Sequence, residues 1–398
     1  MKGHLNQTRK EELLRLCRDM IRVRSLSGEE AGVSEILQDF FLAHRITDLT
    51  TDRYGNLIVR LPGSLPGKKV LFDGHMDTVP VQYPEKWTHD PFGAEIEDGI
   101  LYGRGTADMK CALSAMAAAL VYYYEDAKGQ FPGELILAGI VQEEFFEGIA
   151  SREVSKAVEP DYVIIGEASG LNLKIGQRGR AELVLETYGV PAHSSNPDKG
   201  VNAVYQICRV IEKIRALSAP EHPFLGKGIL ELTDIKSFPY PGASVLPEYA
   251  RATYDRRLLP GESPESVLAP IQEILKDLSN QDPSFQGEIS YARGEKTCFT
   301  GEMISGERFF PAWLKNQEDP DVQAVLKTLS QHGFHPAISK YSFCTNGSHY
   351  AGERGIPTLG MGPSREEIAH TIDEHCALEE IYQAAEIYCL MAEALLPL

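Results

Sequence analysis

The sequence predicts an α/β fold with a mixed, mostly parallel sheet, interrupted by an inserted ferredoxin-like α+β domain. Short apolar runs typical of strands buried on both faces, at residues 135–141 and 162–165, alternate with helical patterns up to residue 178. From residue 179 to 296 the order is strand, helix, strand, strand, helix, strand, which is the ferredoxin-like order. The first pattern resumes after residue 296. We therefore predict one larger domain, residues 1–178 and 297–398, split by a smaller one at 179–296.

The elements of the larger domain follow from periodicity and turn residues. Apolar residues at helical spacing predict a helix over 8–22, and the Ser27-Gly28-Glu29-Glu30 stretch matches a capping box that predicts the start of a second helix. Strands are predicted at 56–60 and 70–73, separated by a turn rich in proline and glycine. The small residues of 111–120 predict a helix that packs closely on a sheet. Helices at 321–332 and 378–395 and a strand at 358–361 complete this domain.

The inserted domain shows strands with one polar face. Alternation of apolar and charged residues predicts a strand at 181–188, and further strands are predicted at 229–235, 249–255 and 287–292. Helical spacing predicts helices at 201–217 and 263–278.

Composition narrows the classes of function. A net charge of −18 disfavours nucleic acid and anionic membranes as partners, because both would repel the chain. The first nine residues are polar and predict no signal peptide, and the longest apolar stretch, 111–124, is shorter than the roughly 20 residues of a membrane span. The seven cysteines include no Cys-x-x-Cys pair, which favours reduced thiols in a cytoplasm.

A histidine and a carboxylate follow the strand predicted at 70–73. In open α/β sheets, reacting groups collect beyond the carboxyl ends of the strands. His75 and Asp77 are two residues apart and point to the same side of an extended chain. Asp77 can therefore accept one ring N–H of His75, which leaves the other nitrogen for a metal.

Four further sites, with five residues, share this logic. They are Asp108 before the 111–120 helix, Glu143 and Glu144 after the 135–141 strand, Glu167 after the 162–165 strand, and His370 near the end of the chain. Taken singly, each is more often structural, as a helix cap, a solvated pair or a surface group. Together they can hold two divalent cations with one bridging carboxylate, and nitrogen and oxygen ligands without thiolate suit zinc, with cobalt or manganese as substitutes. Since neighbouring strand residues face opposite sides, one of the adjacent glutamates should coordinate and the other should act as general base.

These residues, in this order, resemble a known family. It comprises the dinuclear zinc amidohydrolases and exopeptidases, which include acetylornithine deacetylase, succinyl-diaminopimelate desuccinylase, aminoacylase and glutamate carboxypeptidase. The resemblance covers nearly the whole chain. Residues 141–144, 176–180, 223–228, 255–258 and 345–347 further resemble the branch called selenium-metabolism-linked hydrolases. The resemblance implies a zinc-peptidase-like catalytic domain at 1–178 and 297–398, and a lid and dimerisation domain at 179–296.

The resemblance also implies a role for individual residues. The implied metal ligands are His75, Asp108, Glu144, Glu167 and His370, with Asp108 bridging two Zn²⁺ ions per subunit and preceding a cis peptide. Glu143 corresponds to the general base, and Asp77 to the residue that orients His75.

The resemblance also implies roles for two residues of the inserted domain, His193 and Arg257, and for Arg178 and Asn346 outside it. His193 matches a histidine that one subunit of a homodimer donates to its partner's site to stabilise the oxyanion. Arg178, Arg257 and Asn346 match positions that bind a substrate carboxylate. The residues themselves leave open that Arg257 only pairs with Asp255 and that Arg178 is a surface charge.

The function implied is that of a cytoplasmic homodimeric hydrolase. It would cleave an amide bond, whether N-acyl, N-carbamoyl or peptide, of a small carboxylate-bearing amino-acid derivative through a metal-bridging hydroxide. A dipeptidase or carboxypeptidase is the alternative within enzymes. An inactive, metal-stabilised scaffold is the alternative outside them, and the intact Glu143 speaks against it, because a scaffold needs no general base.

Overall fold

The computed structural model describes residues 3–397 and divides them into two compact units. The first unit contains the residues up to Gln177, Glu295–Ser305 and the residues from Trp313 onward. The second contains Arg178–Gly294 and Gly306–Ala312. The segment 306–312, which the sequence-based boundaries left in the larger domain, thus belongs to the second unit, because Phe309–Phe310 forms a strand that pairs with Gly179–Tyr188.

The helices are α1 (Gln7–Arg22), α2 (Ala31–Ala43), α3 (Lys110–Asp126), α4 (Ser151–Val158), α5 (Ala203–Arg215), α6 (Pro264–Gln281), α7 (Pro320–Gln331) and α8 (Leu378–Leu395). The strands are β1 (Leu49–Thr51), β2 (Leu57–Pro62), β3 (Leu65–His75), β4 (Ile96–Glu97), β5 (Ile100–Tyr102), β6 (Pro132–Ile140), β7 (Tyr162–Ile165), β8 (Leu173–Gln177), β9 (Gly179–Tyr188), β10 (Glu221–His222), β11 (Gly226–Lys227), β12 (Ile229–Phe238), β13 (Tyr249–Leu258), β14 (Gln286–Tyr291), β15 (Arg293–Thr297), β16 (Met303–Glu307), β17 (Phe309–Phe310), β18 (Trp313–Leu314), β19 (Ile338–Tyr341), β20 (Thr358–Gly360) and β21 (His375–Ala377).

The first unit is built on a mixed sheet with a parallel centre. Its strands lie in the order β1-β2-β6-β3-β7-β20-β8-β18, with β19 also pairing with β8, and the four strands from β6 to β20 run parallel. The predicted mixed α/β sheet is therefore confirmed. In the register of this sheet, His75 of β3 lies beside Ile140 of β6, and Asp73 lies beside Ile165 of β7. The carboxyl ends of three strands therefore meet at one edge, where the predicted ligands follow them.

The small residues of α3 let this helix approach the sheet closely. Its residues from Lys110 to Tyr122 are all buried. A Cβ at Gly166 would lie 2.6 Å from the Cε atoms of both Met109 and Met116, so a larger residue directly before Glu167 would displace these side chains. The start of α3 and the end of β7 therefore lie close together.

The second unit has the predicted ferredoxin-like arrangement. Strands β9, β12, β13 and β14 and helices α5 and α6 follow each other in the predicted order, and the sheet order is β12-β13-β9-β14 with all pairs antiparallel. Apolar residues of both helices cover one sheet face and form a core that includes Leu183, Ile207 and Ile271. β12 is an edge strand of this sheet.

The capping-box prediction was wrong. Helix α2 begins at Ala31 without a side-chain cap, and Ser27 Oγ donates instead to Asp77 Oδ2 at 2.6 Å. The Glu30 carboxylate accepts from the backbone N–H groups of Gly28 and Gln142. Ser27 and Glu30 thus each bind a segment that is distant in the sequence, and Glu30 binds the nearby Gly28 as well. Within residues 3–397, no helix is long and apolar enough to cross a membrane.

Candidate metal centre

His75 occupies the last position of β3 and is almost completely buried. Its Nδ1 lies 2.9 Å from the backbone oxygen of Asp77 and 3.5 Å from the Oδ1 of the same residue. Its Nε2 lies 2.8 Å from Asp108 Oδ1 and 3.5 Å from Glu167 Oε1. The ring is thus held through Nδ1, and Nε2 is directed at two carboxylates. The backbone carbonyl of Asp77 is the closer partner of Nδ1, where the sequence suggested the carboxylate.

Asp108 lies between the two histidines. Its Oδ1 is 2.8 Å from His75 Nε2, and its Oδ2 is 3.1 Å from His370 Nε2, which is also 3.1 Å from Glu144 Oε1. Asp108 lies in the β5–α3 loop, two residues before α3, and its peptide bond to Met109 is cis. Two groups of potential ligand atoms therefore share this carboxylate: His75, Asp108 and Glu167 form one, and Asp108, Glu144 and His370 the other.

The left-handed backbone conformation of Gln142 determines where Glu143 and Glu144 lie. β6 ends at Ile140, and Gln142 has a φ of 59°, so Glu143 and Glu144 lie on a turn and not on the strand. Their backbone N–H groups both donate to the Asp77 carboxylate, at 3.1 Å to Oδ1 and 3.2 Å to Oδ2. Strand alternation therefore does not decide which of them coordinates. Glu144 contacts His370, while Glu143 is 5% exposed and its Oε1 has no hydrogen-bond partner among the described residues.

The residues fit a pair of divalent cations. Glu143 Oε1 and Glu167 Oε2 are buried without a hydrogen bond inside the described chain, and carboxylates outnumber imidazoles in both groups of potential ligands taken together. Burial raises the pKa of Glu167 well above its usual value, and the nearby Asp108 carboxylate adds to this. Burial, with Asp108 again, raises the pKa of Glu144 to about 7. Such crowded, desolvated carboxylates are satisfied when cations lie among them.

The pKa values of both histidines are raised as well, but by their carboxylate neighbours and against the effect of burial. Burial lowers the pKa of His370, but its hydrogen bonds to Asp108 and Glu144 outweigh burial and raise the pKa to about 10. Burial likewise lowers the pKa of His75, and the bond to Asp108 outweighs it, so the pKa lies well above the usual range. Without cations, these imidazoles take protons to balance the carboxylates.

Asn346 is placed in the first unit but is already engaged. Its Nδ2 donates to Asp73 Oδ1 at 2.9 Å, and its Oδ1 accepts from the backbone N–H of Gly148 at 2.8 Å. The hydroxyl of Tyr350 donates to the other oxygen of Asp73. A contact between Asn346 and a substrate would have to replace one of these internal bonds.

Arg178 and Arg257 lie in the second unit as a pair of neighbouring cations. Arg178 Nη1 donates to the backbone oxygen of Lys227 at 2.9 Å, and Arg257 Nε donates to Asp255 Oδ2 at 3.0 Å. The ion pair that the sequence left open for Arg257 is therefore present. Burial and the positive charge of Arg257 lower the pKa of Arg178.

His193 is exposed on a loop of the second unit. Its Nδ1 accepts the backbone N–H of Ser195 at 3.1 Å and lies 2.7 Å from Ser195 Oγ. In the neutral ring, a nitrogen that accepts carries no hydrogen, so the proton is on Nε2. The loop thus presents His193 Nε2 as a donor.

Two residues of the site were missed in the sequence. Asp73, at the end of the apolar run of β3, receives Asn346 and Tyr350, and Glu374 accepts backbone N–H groups from the loop that precedes Asp108. A buried-strand aspartate was a visible signal for the first. A carboxylate four residues after His370 was a weak one for the second, because its partners are more than 260 positions away.

Comparison with known proteins agrees with this geometry. Residues 71–394 match the model of the peptidase family M20/M25/M40. The protein YgeY of Escherichia coli strain K12 is 28% identical, over 95% of this chain and 93% of its own. Succinyl-diaminopimelate desuccinylase 2 of Ruegeria sp. strain TM1040 is 27% identical, over 94% of this chain and 92% of its own.

A solved structure shares the fold. It is the YXEP protein of Bacillus subtilis, described as a dinuclear metal-binding peptidase of the M20 family, with a TM-score of 0.75, 12% identity and coverage of 98% of this chain and 99% of its own. The family match spans most of the chain and includes all the residues that the site brings together. The chain therefore belongs to the peptidase family M20/M25/M40 and is a metal-dependent amidohydrolase.

Proposed function

We propose that this chain hydrolyses an amide bond, in an N-acyl, N-carbamoyl or peptide group, of a small amino-acid derivative that carries a carboxylate. The observation that carries the proposal is the position of Asp108, whose two oxygens face His75 and His370 at 2.8 and 3.1 Å. A carboxylate placed in this way between two ligand groups is the arrangement expected of a dinuclear hydrolase.

The two sets of ligands would share Asp108. His75, Asp108 and Glu167 would hold one Zn²⁺, and Asp108, Glu144 and His370 the other, with Co²⁺ or Mn²⁺ as substitutes. When bound, such ions polarise the scissile carbonyl and lower the pKa of water. Asp77 supports both sets, because it holds His75 through Nδ1 and the Glu144 backbone through its carboxylate.

Glu143 is the proposed general base. It lies beside the ligand Glu144 and is buried, and it is not in either group of ligand atoms. Its Oε1, which has no hydrogen bond within the described chain, would take a proton from the attacking water and return it to the leaving amine. Water adds to the carbonyl carbon, the C–N bond breaks, and the products are an amine and a carboxylic acid, or carbamic acid where the group is N-carbamoyl.

Arg178 and Arg257 are the proposed anchors for the substrate carboxylate. The chain has a net charge of −18, so two neighbouring guanidinium groups stand out as a local site for an anion. Arginine binds carboxylates through two parallel hydrogen bonds. Asn346 is a weaker candidate for this role, because both ends of its amide are already bound to Asp73 and Gly148.

We further propose a homodimer in which His193 serves the partner's site. Strand β12 is an edge strand and exposes Ile229, Ile235 and Phe238, and an exposed apolar edge is a surface for pairing with a second copy. The donating Nε2 of His193 suits an oxyanion.

Subunit complementation tests this arrangement. His193→Ala and Asp108→Ala homodimers should both be inactive. A mixture refolded together should regain activity, because a mixed dimer has one site with an intact metal set and an intact partner histidine. If His193 acts within its own chain, the mixture stays inactive, and light scattering reports whether dimers form at all.

The nature of the substrate is tested by a screen. Purified protein, with metal content measured by mass spectrometry, is assayed against N-acyl amino acids, N-carbamoyl amino acids and dipeptides. Turnover of the first two classes supports the deacylase type, and turnover of dipeptides alone supports the dipeptidase or carboxypeptidase alternative. Bound metal without turnover of any of these classes would support the inactive scaffold.

We also propose that the protein acts in the cytoplasm. None of its seven cysteines forms a disulfide, and six of them are buried. Unbridged thiols are typical of a reducing compartment.

A further inference from the structure

Glu374 is a fully buried carboxylate that the proposed chemistry does not use. Its Oε1 accepts three backbone N–H groups, from Gly105 at 3.0 Å, Ala107 at 2.8 Å and Asp108 at 3.1 Å. Its Oε2 accepts from the guanidinium of Arg104, which is 1% exposed. Both oxygens are thus fully engaged by one loop.

This loop, between β5 and α3, ends in the shared metal ligand. The N–H of Asp108 belongs to the ligand residue itself, so Glu374 fixes the backbone from which that carboxylate projects. Gly105 has a φ of 90°, a conformation that glycine adopts without strain and that directs the loop's N–H groups toward one point. The N–H of Lys110 donates back to the Gly105 carbonyl at 2.7 Å and joins the loop to α3.

Glu374 also lies close in sequence to the second predicted histidine ligand, His370. Glu374 follows this ligand by four residues, and its backbone carbonyl accepts the N–H of Gly103 at 2.9 Å. Asp373 holds the backbone N–H of Thr88 at 2.8 Å. The segment 370–374 therefore carries one metal ligand at its start and, at its end, the carboxylate that holds the loop of another.

We propose that Glu374, paired with Arg104, is a positioning residue for the dinuclear centre. It sets the place of Asp108 relative to His370, whose nearest atoms are 3.1 Å apart. The inference rests on the proposed function, because it takes Asp108 to be the ligand shared by both cations. Outer partners of metal ligands act in this way, by limiting the geometries that the ligands can adopt.

The test is a measurement of metal affinity in Glu374→Gln. The amide keeps the shape of the side chain, but its NH₂ group must face either Arg104 or the loop N–H groups, all of which are donors. Affinity for Zn²⁺ is measured by competition with a chromophoric chelator, and the Co²⁺-loaded protein is examined by absorption spectroscopy. We expect affinity to fall about 10–100-fold and the Co²⁺ bands to shift.

A matched control lies in the second unit. Glu262 accepts from the mostly buried Arg256 and from the backbone N–H of Leu259, so Glu262→Gln removes a similar charge from a similar pair. No predicted metal ligand belongs to that unit. Glu262→Gln should lower thermal stability and leave Zn²⁺ affinity and the Co²⁺ spectrum as in the wild type.

Two milder variants, Glu374→Asp and Arg104→Met, provide a second test. Glu374→Asp retains the charge one methylene away and should restore part of the affinity, and Arg104→Met should weaken binding less than Glu374→Gln. If Glu374→Gln binds Zn²⁺ with the affinity of the wild type and has the same Co²⁺ spectrum, the inference is wrong. If Glu374→Gln does not fold, wild-type affinity and spectra of both Glu374→Asp and Arg104→Met would show that it is wrong. A wild-type chain that binds no metal overturns the proposed function itself, which is a separate result.

Discussion

The two units hold their functional side chains in different ways. In the first, the carboxylates of Asp77 and Glu374 bind backbone N–H groups of the very loops that carry the ligands. In the second, Arg257 binds a side-chain carboxylate and Arg178 a carbonyl, while His193 is exposed. Bonds to the backbone of a buried loop fix a position, whereas a partly exposed ion pair is weak and can exchange partners. The proposed metal centre is therefore held rigidly, whereas the proposed anion-binding groups can exchange their partners for a ligand.

Among single substitutions, Asp108→Ala should reduce metal binding and turnover the most. Both groups of ligand atoms share this residue, so its loss should abolish binding of both cations and reduce turnover to background. Metal content by mass spectrometry and activity on the best substrate of the screen are the measurements.

Asp52→Asn is the matched control for that variant. Asp52 accepts three backbone N–H groups, from Tyr54, Gly55 and Asn56, but it is not among the ligand atoms. It should lose stability and keep its metals. Retention of two cations by Asp108→Ala would show that Asp108 does not bridge.

Glu143→Ala should separate binding from chemistry. The side chain is buried beside the ligands without being one of them, so both cations should remain while kcat falls by about 10²- to 10⁴-fold, as is usual when a general base is removed. Glu144→Ala, its neighbour, should instead lose metal, because its carboxylate contacts His370. Full turnover by Glu143→Ala would remove this residue from the proposed role.

The sequence predicted which side chains meet, and for a physical reason. Strands of a parallel centre end at one edge, so residues that follow them, such as His75, Glu144 and Glu167, must converge. The alternation rule did not transfer to Glu143 and Glu144, because the left-handed turn at Gln142 takes both off the strand.

What the sequence did not reveal depends on contacts between distant segments. Ser27 fits a local cap by its spacing, but its Oγ accepts no backbone N–H at the start of α2, and its hydroxyl donates to Asp77, 50 positions away. Glu374 accepts from three backbone N–H groups. Nearly every residue has such a group, so residue types alone do not show which ones a carboxylate binds. The backbone partners that hold the ligands are thus what only the fold could show.

Arg257→Met tests the proposed binding of a substrate carboxylate by the second unit. If Arg257 exchanges Asp255 for a substrate carboxylate, its loss should raise KM about 10- to 100-fold, the range for a lost hydrogen bond to a charged group, and leave kcat nearly unchanged. Arg180 also pairs with Asp255, at 3.3 Å and with nearly the same exposure, so Arg180→Met is the matched control and should alter KM little. Equal effects of both variants would assign Arg257 to the ion pair alone.

The number of protons released when Zn²⁺ binds is the most subtle property predicted for the metal site of the first unit. In the cation-free site, the carboxylates of Asp108 and Glu144 raise the pKa of His370 to about 10, so its imidazole is protonated at pH 8. Metal ligation requires the neutral ring, so binding must release this proton, and apparent affinity should rise with pH until about pH 10. Calorimetry of Zn²⁺ binding at pH 8, in two buffers that differ in ionisation enthalpy, gives the number released.

The same pKa gives the sign of a stability change. A group whose pKa is raised by folding stabilises the folded chain below its ordinary pKa, and this contribution is lost as the pH rises through the raised one. The metal-free chain should therefore lose thermal stability between about pH 7 and pH 10, while the metal-loaded chain, in which His370 is already neutral, should not lose this contribution. Binding at pH 8 without proton release would mean that His370 is neutral before any cation arrives, which would contradict its raised pKa.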